Sequence, residues 1–78
     1  MSEITIYIET DLGKIFQITV NVFDTIEQGK RQYRNVSGSN YYNLIWKYNA
    51  VVLNNQKTFD FYGIEDGDTI LSNEILLG

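Results

Sequence analysis

The sequence predicts an α+β fold in which one mixed sheet of four to five strands curls around a single helix. Apolar and polar residues alternate through residues 4–20, a capped stretch with helical spacing follows, and shorter strand-like stretches complete the chain. A hairpin followed by a helix and a returning strand cannot form a doubly wound parallel sheet. We therefore expect a roll in which the last strand lies beside the first, in the middle of the sheet.

Size and composition narrow the function classes. The chain has 78 residues and is expected to form one domain over residues 1–78, whose small core supplies roughly 3 to 5 kcal/mol of net stability. It contains no cysteine and no histidine, which excludes disulfides, thiolate zinc sites, cysteine nucleophiles and histidine acid/base chemistry. We therefore expect no cofactor, no metal site and no enzymatic activity.

The charge pattern argues against nucleic acid and membrane partners. The net charge is −4 and the six basic residues are scattered, so no basic stripe could neutralise a row of phosphates. No apolar run approaches transmembrane length, and no basic start precedes a hydrophobic segment. The expected partners are other proteins. The expected state is a monomer in the cytoplasm, the nucleus or both.

Residues 4–20 have the pattern of an antiparallel hairpin. The inward residues of each strand alternate with outward neighbours at a period of two. The turn between the strands carries Gly13, which suits a positive φ at a bulged hairpin. The inward residues are Ile4, Ile6 and Ile8 in the first strand and Phe16, Ile18 and Val20 in the second.

Residues 25–37 predict the helix. Thr25 is placed to be the N-cap, and Gln28 three residues later can complete a capping box. Gly38 supplies the left-handed residue that commonly ends a helix. The narrow apolar stripe expected to face the sheet is Ile26, Gly29 or Lys30, Tyr33 and Val36.

The rest of the chain predicts three more strands. Residues 39–43 are polar and irregular, and Asn49 with Ala50 makes a turn between two strands. Strands are expected over residues 44–48, 51–53 and 69–73, with a helical turn over residues 58–62. The residues expected to point inward are Leu44, Trp46, Tyr48, Phe59, Ile64 and Ile70, and Leu71 is expected to point outward. The alternative for residues 44–48 is a register shifted by one residue.

Glu65, Asp66 and Asp68 form an acidic cluster that allows two interpretations. Paired acids can act as a hydrolase dyad or bind calcium, but their spacing is not that of an EF-hand and the sequence suggests no pocket of adequate size. We interpret the cluster as a solvated turn.

The assembled residues resemble the ubiquitin family without a gap from Ile4 to Gly78. No single position is diagnostic, but apolar alternation alone would not also place the turn glycines and the helix cap. The resemblance implies a β-grasp fold, which agrees with the roll predicted from periodicity. Beyond the apolar core, the matching residues are Thr10, Gly13, Lys14, Asp24, Thr25, Glu27, Gly38, Thr58, Tyr62 and Thr69.

The resemblance also implies three internal features. The hydroxyl of Tyr62 would bond to backbone near Asn54. Lys30 would be a partly buried helix lysine, left unpaired because Asn55 stands where the family has a carboxylate. Gly29 replaces a core aliphatic residue, so a larger neighbour must fill the space. The neighbours large enough are Tyr33, Trp46 and Phe59.

The surface departs from the family more than the core does. The resemblance places Asp11, Lys47, Leu71 and Asn73 where ubiquitin has its aliphatic patch, so receptors that bury such a patch should bind poorly. The outer face of the sheet offers apolar residues on neighbouring strands, with Glu9 and Lys47 at the margin. The alternative is that scattered surface apolar residues are normal. The predicted partner-binding surface is Tyr7, Ile15, Ile45, Lys47, Leu71 and Asn73.

The tail separates two function hypotheses. The chain ends in Ile75, Leu76, Leu77 and Gly78, with one glycine where family members usually have two and aliphatic residues where they have arginines. The first hypothesis is a non-enzymatic ubiquitin-like interaction module that uses the outer sheet face and the tail, and that a longer chain could continue. The alternative is a covalent modifier conjugated to target lysines through Gly78.

Overall fold

The chain folds as an α+β roll of the β-grasp type, in a computed structural model that describes residues 2–39 and 43–74. Its elements are β1 (Glu3–Thr10), β2 (Ile15–Asn21), α1 (Ile26–Ser37), β3 (Leu44–Tyr48), β4 (Val51–Val52), a 3-10 helix at Asp60–Tyr62 and β5 (Thr69–Glu74). Met1, residues 40–42 of the predicted loop and the tail at residues 75–78 lie outside the described residues.

The strands form one mixed sheet in the order β2-β1-β5-β3-β4. β1 and β5 are parallel, whereas the other three neighbouring pairs are antiparallel. The prediction that the last strand lies beside the first, in the middle of the sheet, is confirmed. The two edges differ in length, because β2 has seven residues and β4 has two.

The hairpin turn fixes the register of β1 and β2. The backbone N–H of Thr10 donates to the carbonyl of Lys14 at 2.8 Å, and Gly13 has a φ of +82°. A side chain at Gly13 would be strained in that conformation, so the glycine suits the turn as predicted. The register that follows pairs Ile8 with Phe16 and continues without interruption to Glu3 and Asn21.

Both predicted ends of α1 are confirmed. The hydroxyl of Thr25 accepts from the N–H of Gln28 at 3.2 Å, and the Gln28 side chain accepts from the N–H of Thr25 at 2.7 Å. This reciprocal capping box satisfies two amides that the first helical turn leaves free. Gly38 has a φ of +71°, and its N–H donates to the carbonyl of Arg34 at 2.9 Å.

The core lies between the inner face of the sheet and α1, and it contains the predicted alternating residues. Phe16 and Tyr48 were also expected inward, and both are half-buried against the edge of the core. The ring of Tyr33 meets the rings of Phe16 and Trp46 edge to face, which suits the charge distribution of aromatic rings. The buried apolar residues are Ile4, Ile6, Ile8, Ile18, Val20, Ile26, Tyr33, Leu44, Trp46, Leu53, Phe59, Ile64 and Ile70.

Phe59 fills the space that Gly29 leaves on the helix. A Cβ atom built at Gly29 would lie 2.5 Å from Cζ of Phe59 and 3.4 Å from Cζ3 of Trp46. The first separation is too short for two carbon atoms, so the helix needs a glycine here for the ring to fit. Of the three aromatic residues expected to fill the gap, Phe59 makes the closest approach.

Val36 is a correction to the predicted helix stripe, because its side chain is exposed. Ile26, Gly29, Lys30 and Tyr33 are buried as predicted. Helical spacing sets the direction in which a side chain points, but burial also requires a neighbouring element at that level along the helix axis. Val36 lies in the last turn of α1, where spacing alone could not supply that information.

The 3-10 helix at Asp60–Tyr62 lies where a helical turn was predicted, and it anchors the preceding loop. The hydroxyl of Tyr62 accepts from the N–H of Asn54 at 2.8 Å, as the family resemblance implied. Leu53 is buried just beyond β4, and its N–H donates to the carbonyl of Trp46 at 2.8 Å. These bonds hold the short edge strand against β3.

Candidate protein-binding face of the sheet

The outer face of the sheet carries one row of side chains that crosses all five strands. The cross-strand register pairs Ile15 with Glu9, Glu9 with Leu71, Leu71 with Lys47 and Lys47 with Val52. Directly paired residues point to the same face of a sheet and lie close enough to touch. We call these five residues the central row.

Apolar and charged residues alternate along the central row. The three apolar members are well exposed: Ile15 to 60%, Val52 to 58% and Leu71 to 50%. Glu9 and Lys47, of opposite charge, separate them. Single exposed apolar residues need no explanation, but three in register on one face form a surface that a partner can cover. The charges between them restrict which partner that can be.

The other predicted surface residues flank the central row on its two sides. On one side, Ile45 is paired with Asn73. On the other side, Tyr7 is paired with Thr69 and with Gln17.

The structure therefore brings together Ile45, Lys47, Leu71 and Asn73, on the adjacent strands β3 and β5. Tyr7 lies one row away from this group. Ile15 lies two strands from Leu71, with Glu9 between them. The predicted surface is thus one compact group of four residues with two outlying members on the same face.

A shallow concavity of about 320 Å³ lies at the hairpin end of this group. The central row contributes Glu9, Lys47 and Leu71 to its lining, and Asn73 borders it on one side. Asp11 and its neighbours in the hairpin turn close the other side. A side chain inserted here would meet Leu71 together with two acids, Glu9 and Asp11, and one base, Lys47.

Val52 is the member of this surface that sequence reasoning missed. It was interpreted only as part of an edge strand. Asn49 and Ala50 both have positive φ, 51° and 65°, which is the signature of a two-residue hairpin turn. Such a turn fixes the pairing of Lys47 with Val52, so the predicted turn held the information needed to extend the surface.

The acidic cluster after the 3-10 helix ties backbone together. Asp66 accepts from the N–H of Thr5 at 2.7 Å. One oxygen of Asp68 accepts from the hydroxyl of Tyr48 at 2.6 Å and from the N–H of Glu65 at 2.8 Å. The bond to Asp68 raises the pKa of the Tyr48 hydroxyl above its ordinary value. These contacts suit the interpretation as a turn.

Lys30 corrects the expectation of an unpaired lysine. Its buried ammonium donates to the carbonyl of Leu44 and to the side-chain oxygen of Asn55, both at 2.6 Å. The amide oxygen of Asn55 thus accepts where a carboxylate was expected to be required. Burial, and secondarily the charge of Arg34, lowers the pKa of Lys30. The two bonds tie α1 to β3 and to the loop after β4, so we assign Lys30 a structural role.

Residues 2–39 and 43–74 show neither a membrane-spanning helix nor a metal-binding cluster. Within that part of the chain, no helix is both long and apolar enough to cross a membrane. The same residues include no group of three or more potential ligands, of the types His, Cys, Asp and Glu, that could hold a metal ion. The predicted tail residues Ile75, Leu76, Leu77 and Gly78 lie outside the described residues, so their role stays a prediction.

No family model matches the chain, and no curated protein is significantly similar to it in sequence. The evidence for function therefore lies in the fold and in the outer face of the sheet.

Proposed function

We propose that the chain is a non-enzymatic, ubiquitin-like protein-protein interaction module that binds a partner protein through the outer face of its sheet. The observation that carries the proposal is the central row, in which Ile15, Leu71 and Val52 are exposed in register across the sheet. The proposed location is the cytoplasm or the nucleus, and the proposed partners belong to the protein class that recognises ubiquitin-like folds.

The chemistry of the row defines the kind of partner. Covering Leu71 and its apolar neighbours would remove apolar surface from water at about 25 cal/mol per Å². The same contact would desolvate Lys47 and Glu9, which costs free energy unless the partner pairs with both. The fitting partner therefore has an apolar centre with an acidic group facing Lys47 and a basic or donor group facing Glu9. An entirely aliphatic partner surface would be rejected.

A photo-crosslinking experiment tests this site. A photoreactive residue is placed at position 71, and a matched probe is placed at the exposed helix residue Gln32. We expect a crosslinked partner from position 71 that does not form from position 32. Unlabelled protein should compete for the partner, whereas unlabelled Leu71→Asp should not. Identical products from both positions would refute the site.

Charge reversal tests the specificity of the same contact. Lys47→Glu should weaken binding of the crosslinked partner by about 10-fold or more, because it opposes the partner's acid with a like charge. Arg31→Glu makes the same change on the exposed face of α1 and should leave the affinity unchanged. Equal losses in the two variants would show that net charge, and not this surface, controls binding.

Mass spectrometry of the native product separates this module from the covalent modifier. A species that ends at Gly78 and is joined to a lysine of another protein would favour the modifier. Unconjugated protein, or residues beyond Gly78 that are never removed, would favour the module.

A further inference from the structure

Along the β2 edge of the sheet, the backbone N–H and C=O of every second residue point away from β1. At the two ends of the hairpin, the N–H of Thr10 donates to Lys14 and the N–H of Val22 donates to Ser2. The unbroken register between these bonds directs the backbone of the even-numbered β2 residues toward β1. The backbone N–H and C=O of the odd-numbered residues, from Ile15 to Asn21, therefore point away from the sheet.

One of these four odd-numbered residues is already satisfied. The N–H of Asn21 donates to the Asp24 carboxylate at 3.1 Å, and its carbonyl accepts from the N–H of Asp24 at 2.9 Å. Within residues 2–39 and 43–74, no backbone partner occupies the outward groups of Ile15, Gln17 and Thr19. The edge thus offers three donors and three acceptors, spaced along three alternate residues.

Nothing along β2 protects this edge. Natural sheets block exposed edges with charged residues, proline, bulges or very short strands. β2 has seven residues with the sequence IFQITVN, which contains no charge and no proline. Its pairing with β1 runs without a bulge. The opposite edge, β4, is only two residues long and so offers little to pair with.

We propose that β2 pairs with β2 of a second copy of this chain, antiparallel and centred on Gln17. In this register Gln17 lies opposite Gln17 of the second copy, and Ile15 lies opposite Thr19 in both directions. An antiparallel pair of residues with facing backbone groups exchanges two hydrogen bonds. The three facing pairs therefore use every free donor and acceptor of both edges.

A neighbouring register uses fewer of these groups. If the strands were centred on Ile18, Gln17 would pair with Thr19 and Ile15 would pair with Asn21. The backbone of Asn21 is already bonded to Asp24. Only the Gln17–Thr19 pairs would then form, which favours the register centred on Gln17.

Side chains are compatible with the proposed register. On the inner face, Phe16 lies opposite Ile18 of the second copy, an aromatic pair with a β-branched residue of the kind that stabilises sheets. On the outer face, two Gln17 side chains meet at the two-fold axis. Lys14 lies opposite Val20, so no like charges face each other along the strand. A self-complementary contact of this kind closes as a two-fold dimer.

The dimer would be weak and would leave the central row accessible. Edge-to-edge pairing covers less than the roughly 800 Å² per partner of a standard stable interface, so we expect a dissociation constant between about 1 μM and 1 mM. Each copy has a net charge of −4, so screening of the repulsion should strengthen the dimer as salt rises. This state differs from the monomer expected from sequence, and it does not depend on the proposed function.

Complementary charges at the two-fold axis test the proposal by sedimentation velocity and by diffusion measured with NMR, at protein concentrations up to about 1 mM. Gln17→Lys and Gln17→Glu should each be monomeric, because each places like charges face to face. An equimolar mixture of the two should recover the dimer. Val51→Lys makes the same kind of change on the opposite edge and should dimerise like the unmodified chain.

Three outcomes would overturn the proposal: a monomer at all concentrations, a dimer that survives Gln17→Lys, or a mixture that stays monomeric. Amide hydrogen exchange provides a second readout on the unmodified chain. Exchange at Ile15, Gln17 and Thr19 should slow with rising concentration, whereas Phe16 and Ile18 should be protected at every concentration. Concentration-independent exchange at all five amides would also contradict the pairing.

Discussion

The two faces of the sheet are specified in different ways. In the core against the inner face, Gly29 of α1 leaves the space that the ring of Phe59 occupies, and the indole N–H of Trp46 donates to the buried hydroxyl of Ser72 at 3.0 Å. On the outer face, Leu71 lies between Glu9 and Lys47 and is half exposed. Folding thus constrains the inner face residue by residue, and it leaves the outer face available for binding.

The largest expected contrast comes from truncating one large side chain in the core and one on the outer face. Phe59→Ala should lower the free energy of unfolding by about 3–5 kcal/mol, because it opens a cavity at a fully buried site. Leu71→Ala should change it by no more than about 0.5 kcal/mol, as is usual for surface positions. Urea titration measures the change for Leu71→Ala. For Phe59→Ala the expected loss is as large as the roughly 3 to 5 kcal/mol of net stability, so circular dichroism without urea measures its unfolded fraction. Similar losses in the two variants would show that folding constrains the outer face as strongly as the core.

Adding a methyl group to the core-facing side of α1 tests the fit of the helix against the ring of Phe59. Gly29→Ala should lower the free energy of unfolding by about 1–2 kcal/mol, because overpacking exceeds the gain in helix propensity. Phe59→Leu removes the atoms that the new Cβ would meet.

The Gly29→Ala and Phe59→Leu double variant should therefore lose less stability than the sum of the two single variants. Additive losses in this double-mutant cycle would show that the glycine is needed for another reason.

Lys30 tests the polar part of the core. Lys30→Met should lower the free energy of unfolding by about 1 kcal/mol at pH 7. The carbonyl of Leu44 loses its donor, and this loss exceeds the gain from removing a buried charge.

The pH dependence of this loss has a definite sign. The pKa of Lys30 is lowered by burial from 10.5, so the folded protein releases this proton more readily than the unfolded chain. Stability from Lys30 therefore rises with pH between the folded pKa and 10.5, and it falls as pH drops through the folded pKa. The Lys30→Met deficit should be larger at pH 10 than at pH 7. Buried Tyr33 titrates in both proteins, so its contribution cancels.

The smallest expected effect concerns the turn that positions the end of the central row. Ala50 has a φ of +65°, a conformation that costs most residues about 1–2 kcal/mol and glycine almost nothing. Ala50→Gly should raise the free energy of unfolding by about 0.5 kcal/mol, because the extra freedom of glycine in the unfolded chain offsets part of the gain. Thermal unfolding at equal protein concentration measures it. A loss of stability would contradict this account of the turn.

The sequence was most informative where local patterns have a single structural solution. The capping box at Thr25 and Gln28, the left-handed Gly38 and the period-two inward sets predicted the elements and the core. The burial of a residue at a given level along the helix and the polar partner of a buried side chain are not local properties of the sequence. The exposure of Val36 and the bond from Lys30 to Asn55 depend on which distant residues pack beside them. Residue spacing alone does not predict that packing.

The candidate site was predictable in part for the same reason. Tyr7, Ile45 and Leu71 were assigned to the outer face correctly, because the face follows from alternation. Their alignment with Glu9 and Lys47 required the cross-strand register. Val52 depended on the turn at Asn49 and Ala50, whose positive φ values set that register.

We propose that the outer face binds a protein partner, while the core between the inner face and α1 holds the fold. The most direct measurement is a titration of isotope-labelled protein with extract of the cells that make it, followed through amide chemical shifts and line widths. We expect changes at Glu9, Ile45, Lys47 and Leu71, and none at the buried residues Ile26 and Phe59, which lie outside the strands. Changes confined to α1, with the central row unaffected, would contradict the claim.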